Sequence, residues 1–360
     1  MTGTTTDADD AAERERGWTA VGDWYHAAFT GLILATLARR GTPVAAAFVE
    51  RIFAAQREAR FLPGLAKLGL DGLPHAVACA AYHYLSNDVG GVAVQFMPES
   101  DRKAWVRYVP PRWIWAGTAL CAVPDEVTVA MLRGWHAQNG TMLGNPRLGF
   151  VCTKTTTAGD GALEGYYLEH DRALAPHERL RFARDEDGPD FDPARAPALP
   201  SAGWPPERLA RAKRNYAMEY LRTALPVAAS LLGDDGLADV VRVAMRQVGM
   251  QHHRVACATL GLPAGGDARA FAGFLVAMSR GQGDAPTLHA GAAGTWTVRQ
   301  PGWRLPGAGA AVTDAVLAAW GGLWEGAAAS HDRHLAVVLH REGAGLAWTV
   351  APSRAALSAA

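Results

Sequence analysis

The sequence predicts an α+β fold of two related halves, each a helical layer with a small antiparallel sheet. Three observations lead to it. Ala- and Leu-rich stretches place apolar residues at helical spacing, as Trp24, Ala28, Leu32 and Leu37 do. Short alternating runs separated by polar or glycine turns read as strand pairs. The order of elements also occurs twice: three helices, a strand pair, a helix and a closing hairpin.

Taken in order, the polar and acidic opening MTGTTTDADDAAERERG (1–17) has no apolar core and is expected to be disordered. The first half spans 18–171. Gly41-Thr42-Pro43 should stop one helix and start the next. A third helix is expected from near Asp71 through HAVACAAYHYL, with Pro74 in its first turn and apolar residues nearly all round, hence buried. GVAVQFM and AWVRYV alternate as strands joined by PESDRK, and Pro110-Pro111 ends the second. VPDEVTVAMLRGWHAQNG then reads as a helix stopped at Gly140, and LGFVCTKT with LEGYYLEH as a hairpin. Residues 172–206 are rich in Asp, Arg and Pro without periodicity and read as a linker.

The second half, 207–352, repeats the pattern with three helical blocks, a strand pair in GTWTVRQ and GWRLP, the helix VTDAVLAAWGGLWEGAAASH, and the strands HLAVVLHR and LAWTV. A tail, 353–360, follows. The matching order predicts an internal duplication, with any pocket inside each half or on a shared axis.

Lys+Arg and Asp+Glu balance at 35 each in 360 residues, so no basic field exists to hold a phosphate backbone and nucleic acid is not an expected partner. The four cysteines, at 79, 121, 152 and 257, form no CxxC pair, which fits a reducing compartment rather than a disulfide framework. No secretory leader or membrane-length apolar run is read, so a cytoplasmic protein without a membrane partner is expected. P-loop, GxGxxG, GxSxG and HExxH motifs are missing from the sequence, and no nucleotide cofactor is expected.

The candidate chemistry centres on Leu132 to Asp171. His136 and Asn139 share a side where their helix ends, and His136 reads either as a base near neutral pH or as a cation favoured by the helix C-terminus. On the last strand Tyr167 and Glu169 share one face, while Tyr166, Leu168 and His170 share the other; only the inward face would matter, which makes Glu169 an acid or base in one case and a solvated charge in the other. Upstream, His75, Cys79 and His83 recur at helical spacing. Cys79 and His83 form the tighter pair, since Pro74 leaves His75 at the helix start. They read as a thiol–imidazole pair, as part of a divalent metal site needing further ligands, or as core residues.

In the second half, His253 and Cys257 repeat this spacing, Arg254 could hold a carboxylate, and Trp320 with Trp324 could form an aromatic wall or ordinary core. Catalytic candidates are therefore Cys79, His83, His136, Tyr167 and Glu169; binding candidates are Asn139, His253, Arg254, Trp320 and Trp324.

The helix ending WHAQNG, the turn GNPRLGFV, the Gly159-Asp160 turn before a short strand, and their echo in the second half give a chain that resembles the bacterial L-2-amino-thiazoline-4-carboxylic acid hydrolase-like family, most clearly over 75–171. The resemblance implies an α+β fold and hydrolytic opening of a cyclic amidine-like C=N ring; Leu163 stands where the family pattern carries a cysteine. The expected function is thus a hydrolase-like enzyme opening or closing a small polar heterocycle at a C=N or C–N bond, in specialised metabolism. The alternative is a non-catalytic sensor or carrier whose aromatic pocket holds a small molecule. Oligomeric state is left open.

Overall fold

A computed structural model describes residues 3–306 and 312–353. The fold is α+β, with a five-stranded and a four-stranded sheet among the described residues. The chain divides into two compact units, an inserted unit of Thr36–Trp204 and a flanking unit of Met1–Ala35 with Pro205–Ala360. This differs from boundaries at 171 and 207. The first helix supplies Trp24 and Tyr25 to rings of the flanking unit, where they meet Phe274, Trp324 and Trp320.

Helix α1, Gly3–Lys67, begins within the stretch predicted to be disordered and breaks at Gly41, whose φ of 81° is the left-handed turn read from Gly41-Thr42-Pro43. By length and composition alone Asp9–Lys67 is apolar enough to cross a membrane, with a mean hydropathy of 1.3 in its best window. The predicted tail beyond Ser353 lies outside the described residues.

In the inserted unit, α2 (His75–Asp88) starts directly after Pro74 and buries most of its residues, as its all-round apolar pattern requires. Strands β1 (Val94–Ser100) and β2 (Lys103–Tyr108) form the expected hairpin. Helix α3 (Asp125–Gly134) does not continue to Gly140. The backbone turns at Trp135 (φ −109°, ψ −73°), and one 3-10 turn leads to a single-turn α4 (Asn139–Met142). Gly134 lets α3 lie against α1, because a Cβ there would stand 2.4 Å from Glu50 O. Arg57 Nη1 donates to Gly134 O at 2.6 Å, satisfying a carbonyl at the helix end.

Strands β3 (Leu148–Lys154) and β4 (Leu163–Glu169) complete an antiparallel set, and β5 (Leu180–Phe182) adds to β3 in parallel, giving the order β1-β2-β4-β3-β5. The sheet is therefore mixed rather than purely antiparallel. The segment 172–204 is also no linker. Ala183 and Phe191 pack on Met97, Trp105, Val151 and Tyr166, one face of the sheet. Glu164 and Arg107 clip it there. Their ion pair is joined by Thr153 Oγ1 and Gly188 N donating to Glu164 at 3.0 and 2.9 Å, and by Arg107 donating to Gly188 O and Pro189 O at 3.2 and 3.1 Å. A charge pair this deeply covered persists because both partners' remaining groups are hydrogen-bonded.

The flanking unit holds α5 (Pro206–Gly236), a π turn (Leu237–Val241), α6 (Arg242–Leu260) and α7 (Ala268–Gln282), then β6 (Thr287–Ala290), β7 (Trp296–Gln300), α8 (Asp314–His331), β8 (Leu335–Glu342) and β9 (Gly345–Pro352). GWRLP is not a strand; its place beside β7 belongs to β6, which precedes it. Helices α6 and α8 touch backbone to backbone, since a Cβ on Gly249 or Gly326 would lie 2.0 Å from Leu323 O or Arg246 O. The sheet order β6-β7-β9-β8, all antiparallel, matches β1-β2-β4-β3 in sequence and direction. The repeated layout is thus present in the topology of both sheets.

Replacing Glu164 by Gln removes the anion that Arg107 faces, and the inserted unit should lose about 3 kcal/mol in urea denaturation. The pair Arg107→Met with Glu164→Leu should cost less than either single change; equal or additive losses would contradict the clip.

Candidate functional site

The helix-facing side of the five-stranded sheet carries a polar cluster. Register puts Tyr108 on β2 opposite Leu163, Val106 opposite Gly165, and Phe150 on β3 opposite Tyr167, so Tyr108, Phe150 and Tyr167 share one face by strand alternation. Helix α2 brings Cys79 and His83 from one side, and the broken end of α3 brings Trp135, His136 and Asn139 from another. Cys79, Asn139 and Tyr167 are fully buried, and His83 and His136 are 3 % and 5 % exposed.

The contacts are specific. The rings of His83 and His136 stack at 4.2 Å between centroids, 6° from parallel, and the Tyr167 ring lies within 12° of both at 6.0 Å. Tyr108 Oη meets His136 Nε2 at 3.0 Å. Asn139 Nδ2 donates to Tyr167 Oη at 2.9 Å and approaches His83 Nε2 at 3.5 Å. Trp135 and Phe150 close the sides, at 6.0 Å from His83 and 4.7 Å from His136. Three of the cluster's atoms lack a hydrogen-bond partner: His136 Nδ1, Asn139 Oδ1 and Trp135 Nε1. An unmet polar atom in such a place costs about 1–3 kcal/mol.

Burial keeps Cys79, His83, His136 and Tyr167 neutral at physiological pH. It pushes His83 down to about 3. It lowers His136 further below the ordinary range, with His83 and Arg112 adding to the effect. It raises the Cys79 thiol and the Tyr167 phenol well above theirs. The cluster therefore offers hydrogen-bond donors and acceptors rather than charges. Assigning the Tyr108 hydroxyl as donor to Nε2 leaves the His136 proton on Nδ1. The unmatched atoms are then two donors, His136 Nδ1–H and Trp135 Nε1–H, and one acceptor, Asn139 Oδ1.

Of the residues singled out from sequence, Cys79, His83, His136, Asn139 and Tyr167 come together here. Glu169 does not. It sits at the end of β4, ion-paired to Arg147 and accepting from Asn145 Nδ2 at 2.9 Å. His75 is likewise elsewhere, against Asn145 at 3.0 Å, so the Cys79 and His83 face lacks a third ligand from that residue. Among the described residues no group of three or more His, Cys, Asp or Glu is arranged to hold a metal ion. Tyr108 and Phe150 are the members that sequence reading missed; the inward alternation of Ala104, Val106 and Tyr108 is visible in the sequence, but the pairing with Tyr167 is not.

In the flanking unit, His253 Nε2 lies 3.3 Å from both Cys257 Sγ and His331 Nδ1, among Phe271 and Phe274. Burial lowers His253 to about 4 and raises Cys257 to about 11. Arg254, next in sequence, is exposed on α6, turned away from this buried contact. Trp320 and Trp324 are core, packed with Trp24, Tyr25, Trp303 and Trp348. By register Gln300, opposite Leu346, holds the place of Tyr108, and Val350 that of Tyr167. The polar cluster is therefore not repeated at these positions.

Comparison with protein-family models, with curated proteins and with solved structures finds no match. The likeness read from the sequence enters the functional reading below as a proposal.

A folded-state imidazole near 3 against 6.5 in the unfolded chain means that the unfolded state binds more protons between those values. The contribution of His83 is complete above 6.5 and lost as pH falls toward 3, at up to about 1.4 kcal/mol per pH unit. Urea midpoints measured from pH 7 to 4 should fall steeply for the wild type and less so for His83→Phe; identical slopes would contradict a buried neutral His83.

Proposed function

We propose that the inserted unit is a hydrolase-like enzyme acting on a small polar heterocycle, opening or closing its ring at a C=N or C–N bond. The observation that supports this most is the unmatched donor–acceptor pair, His136 Nδ1–H and Asn139 Oδ1, inside a buried aromatic cluster. A cyclic amidine or amide edge presents the complementary pair. The resemblance to the thiazoline hydrolase-like family points to the same reaction class.

In this reading His136 moves the proton. Being neutral, it can relay the proton: Nδ1–H gives one to the substrate's ring nitrogen while Nε2 takes the Tyr108 phenol proton, which the attacking water returns. Asn139 aligns the substrate edge, and Tyr167 holds Asn139 in place. Cys79, whose thiol burial keeps protonated, lies within hydrogen-bond reach of Asn139 and is not the nucleophile. Water is the attacking group. Glu169, outside the cluster, holds the β3–β4 end of the sheet through Arg147 and Asn145.

The second reading, a non-catalytic carrier or sensor, is favoured by the closure of the cluster, whose members are all nearly inaccessible. It places the ligand in the same cluster, not in the packed tryptophans of the flanking unit. A panel of cyclic amidines and lactams, followed by mass-resolved product analysis, separates the two. Turnover that falls about 100-fold or more in His136→Ala and persists in Cys79→Ala is expected. Saturable binding without product would support the carrier, and a dead Cys79→Ala with active His136→Ala would overturn the assignment of roles.

A further inference from the structure

Sheet edges are templates for adding another strand, and chains protect them with proline, bulges, short strands or covering segments. Three of the four edges here carry such devices. Strand β1 contains Pro98 and a register shift between Pro98 and Ser100, and Arg195 Nη2 donates to Pro98 O at 3.1 Å. Strand β3 is covered by β5, itself only three residues long. Strand β6 has four residues.

Among the described residues strand β8 has none of these devices along its centre; at its end Arg341 donates to Val312 O at 2.7 Å and pairs with Asp314 at 3.7 Å. It runs eight residues, Leu335–Glu342, pairs with β9 without a register shift, contains no proline, and lies at the end of its sheet. Its centre is Ala336-Val337-Val338-Leu339, with Val338 57 % exposed. It is the counterpart of β3, the strand that the inserted unit covers.

We infer that β8 is the interface for a second copy of this chain, pairing antiparallel with its own symmetry mate. The charges at the strand ends, where Arg341 also pairs with Asp314 and Glu342 with Arg299 within the chain, select the register for a copy of itself. Two-fold pairing requires opposite residues to share a face, so the axis passes beside a single residue. Centred on Val337, Arg333 would face Arg341 and Asp332 would face Glu342, like charges at both ends. Centred on Val338, Glu342 faces His334, Leu335 faces Arg341 and Ala336 faces His340, with no like-charge pair. Backbone parity agrees. His334 O accepts from Ser353 N, so even-numbered residues of β8 turn their amides toward β9 and odd-numbered residues turn theirs outward. Val337 and Leu339 then make the new ladder, and Val338 meets Val338 of the mate in a non-hydrogen-bonded pair, where side chains approach most closely.

Sedimentation of the full chain, from dilute to concentrated solution, should show a species of twice 38.2 kDa. Val338→Lys places two ammonium groups on the axis and should return the monomer without changing the circular dichroism spectrum. In a Cys121→Ser background, Val338→Cys should cross-link to itself under copper–phenanthroline. His340→Cys alone should not, and a mixture of Ala336→Cys with His340→Cys should. A wild type that stays at 38.2 kDa at every concentration, or a dimer untouched by Val338→Lys, would overturn the proposal. Self-cross-linking of His340→Cys in place of Val338→Cys would overturn the register.

Discussion

Tyr167 is buried on one face of β4 and Tyr166 on the other, and the inserted unit is built to satisfy both. A sheet that hides two faces needs two layers. Helices α2 and α3, with α1 beyond Gly41, supply one; the segment 172–204 supplies the other, although its sequence is polar. That segment holds its place through few apolar contacts, Ala183 and Phe191, and many polar ones gathered around Glu164 and Arg107. With the back face closed in this way, the helix-facing side is free to carry polar groups.

Those groups are neutral. Desolvation is the largest cause of the shift at Cys79, His83, His136 and Tyr167, and it acts in each case against the charged form. On the proposed reading, the arrangement would select ligands by matching donors and acceptors. A flat, uncharged heterocycle would meet such a site at low desolvation cost; the cation beside it, Arg112, stacks on the Tyr108 ring at 4.8 Å. The flanking unit has the same strand order but fills the corresponding positions with Gln300, Val350 and a packed tryptophan set. Shared topology has thus been given two different interiors.

Much of this was legible in the sequence, for identifiable reasons. Helical spacing located α2 and its Cys79 and His83, and a chain reversal after WHAQNG located His136 and Asn139. The repeated order of elements anticipated two sheets of one connectivity. Other features depend on information that local pattern does not hold. Tyr108 joins the cluster only through the register of β2 on β4. Glu169, one alternation beyond Tyr167, shares its face but falls at the strand end, where Arg147 claims it. The segment 172–204 reads as a linker because its anchoring is by charge and backbone hydrogen bonds, which leave no periodic trace. The boundary between units was misplaced because α1, one helix in sequence up to Gly41, gives its first residues to the flanking unit.

The central claim is that the cluster around His136 and Asn139 is a ligand site. Native mass spectrometry of protein purified without an affinity tag, alone and with cyclic amidines and lactams, addresses it most directly. A small-molecule adduct on the 38.2 kDa chain that disappears in Asn139→Leu, with the variant still folded, is the predicted result. An adduct that survives Asn139→Leu unchanged, or a wild type that retains no member of the panel, would contradict it.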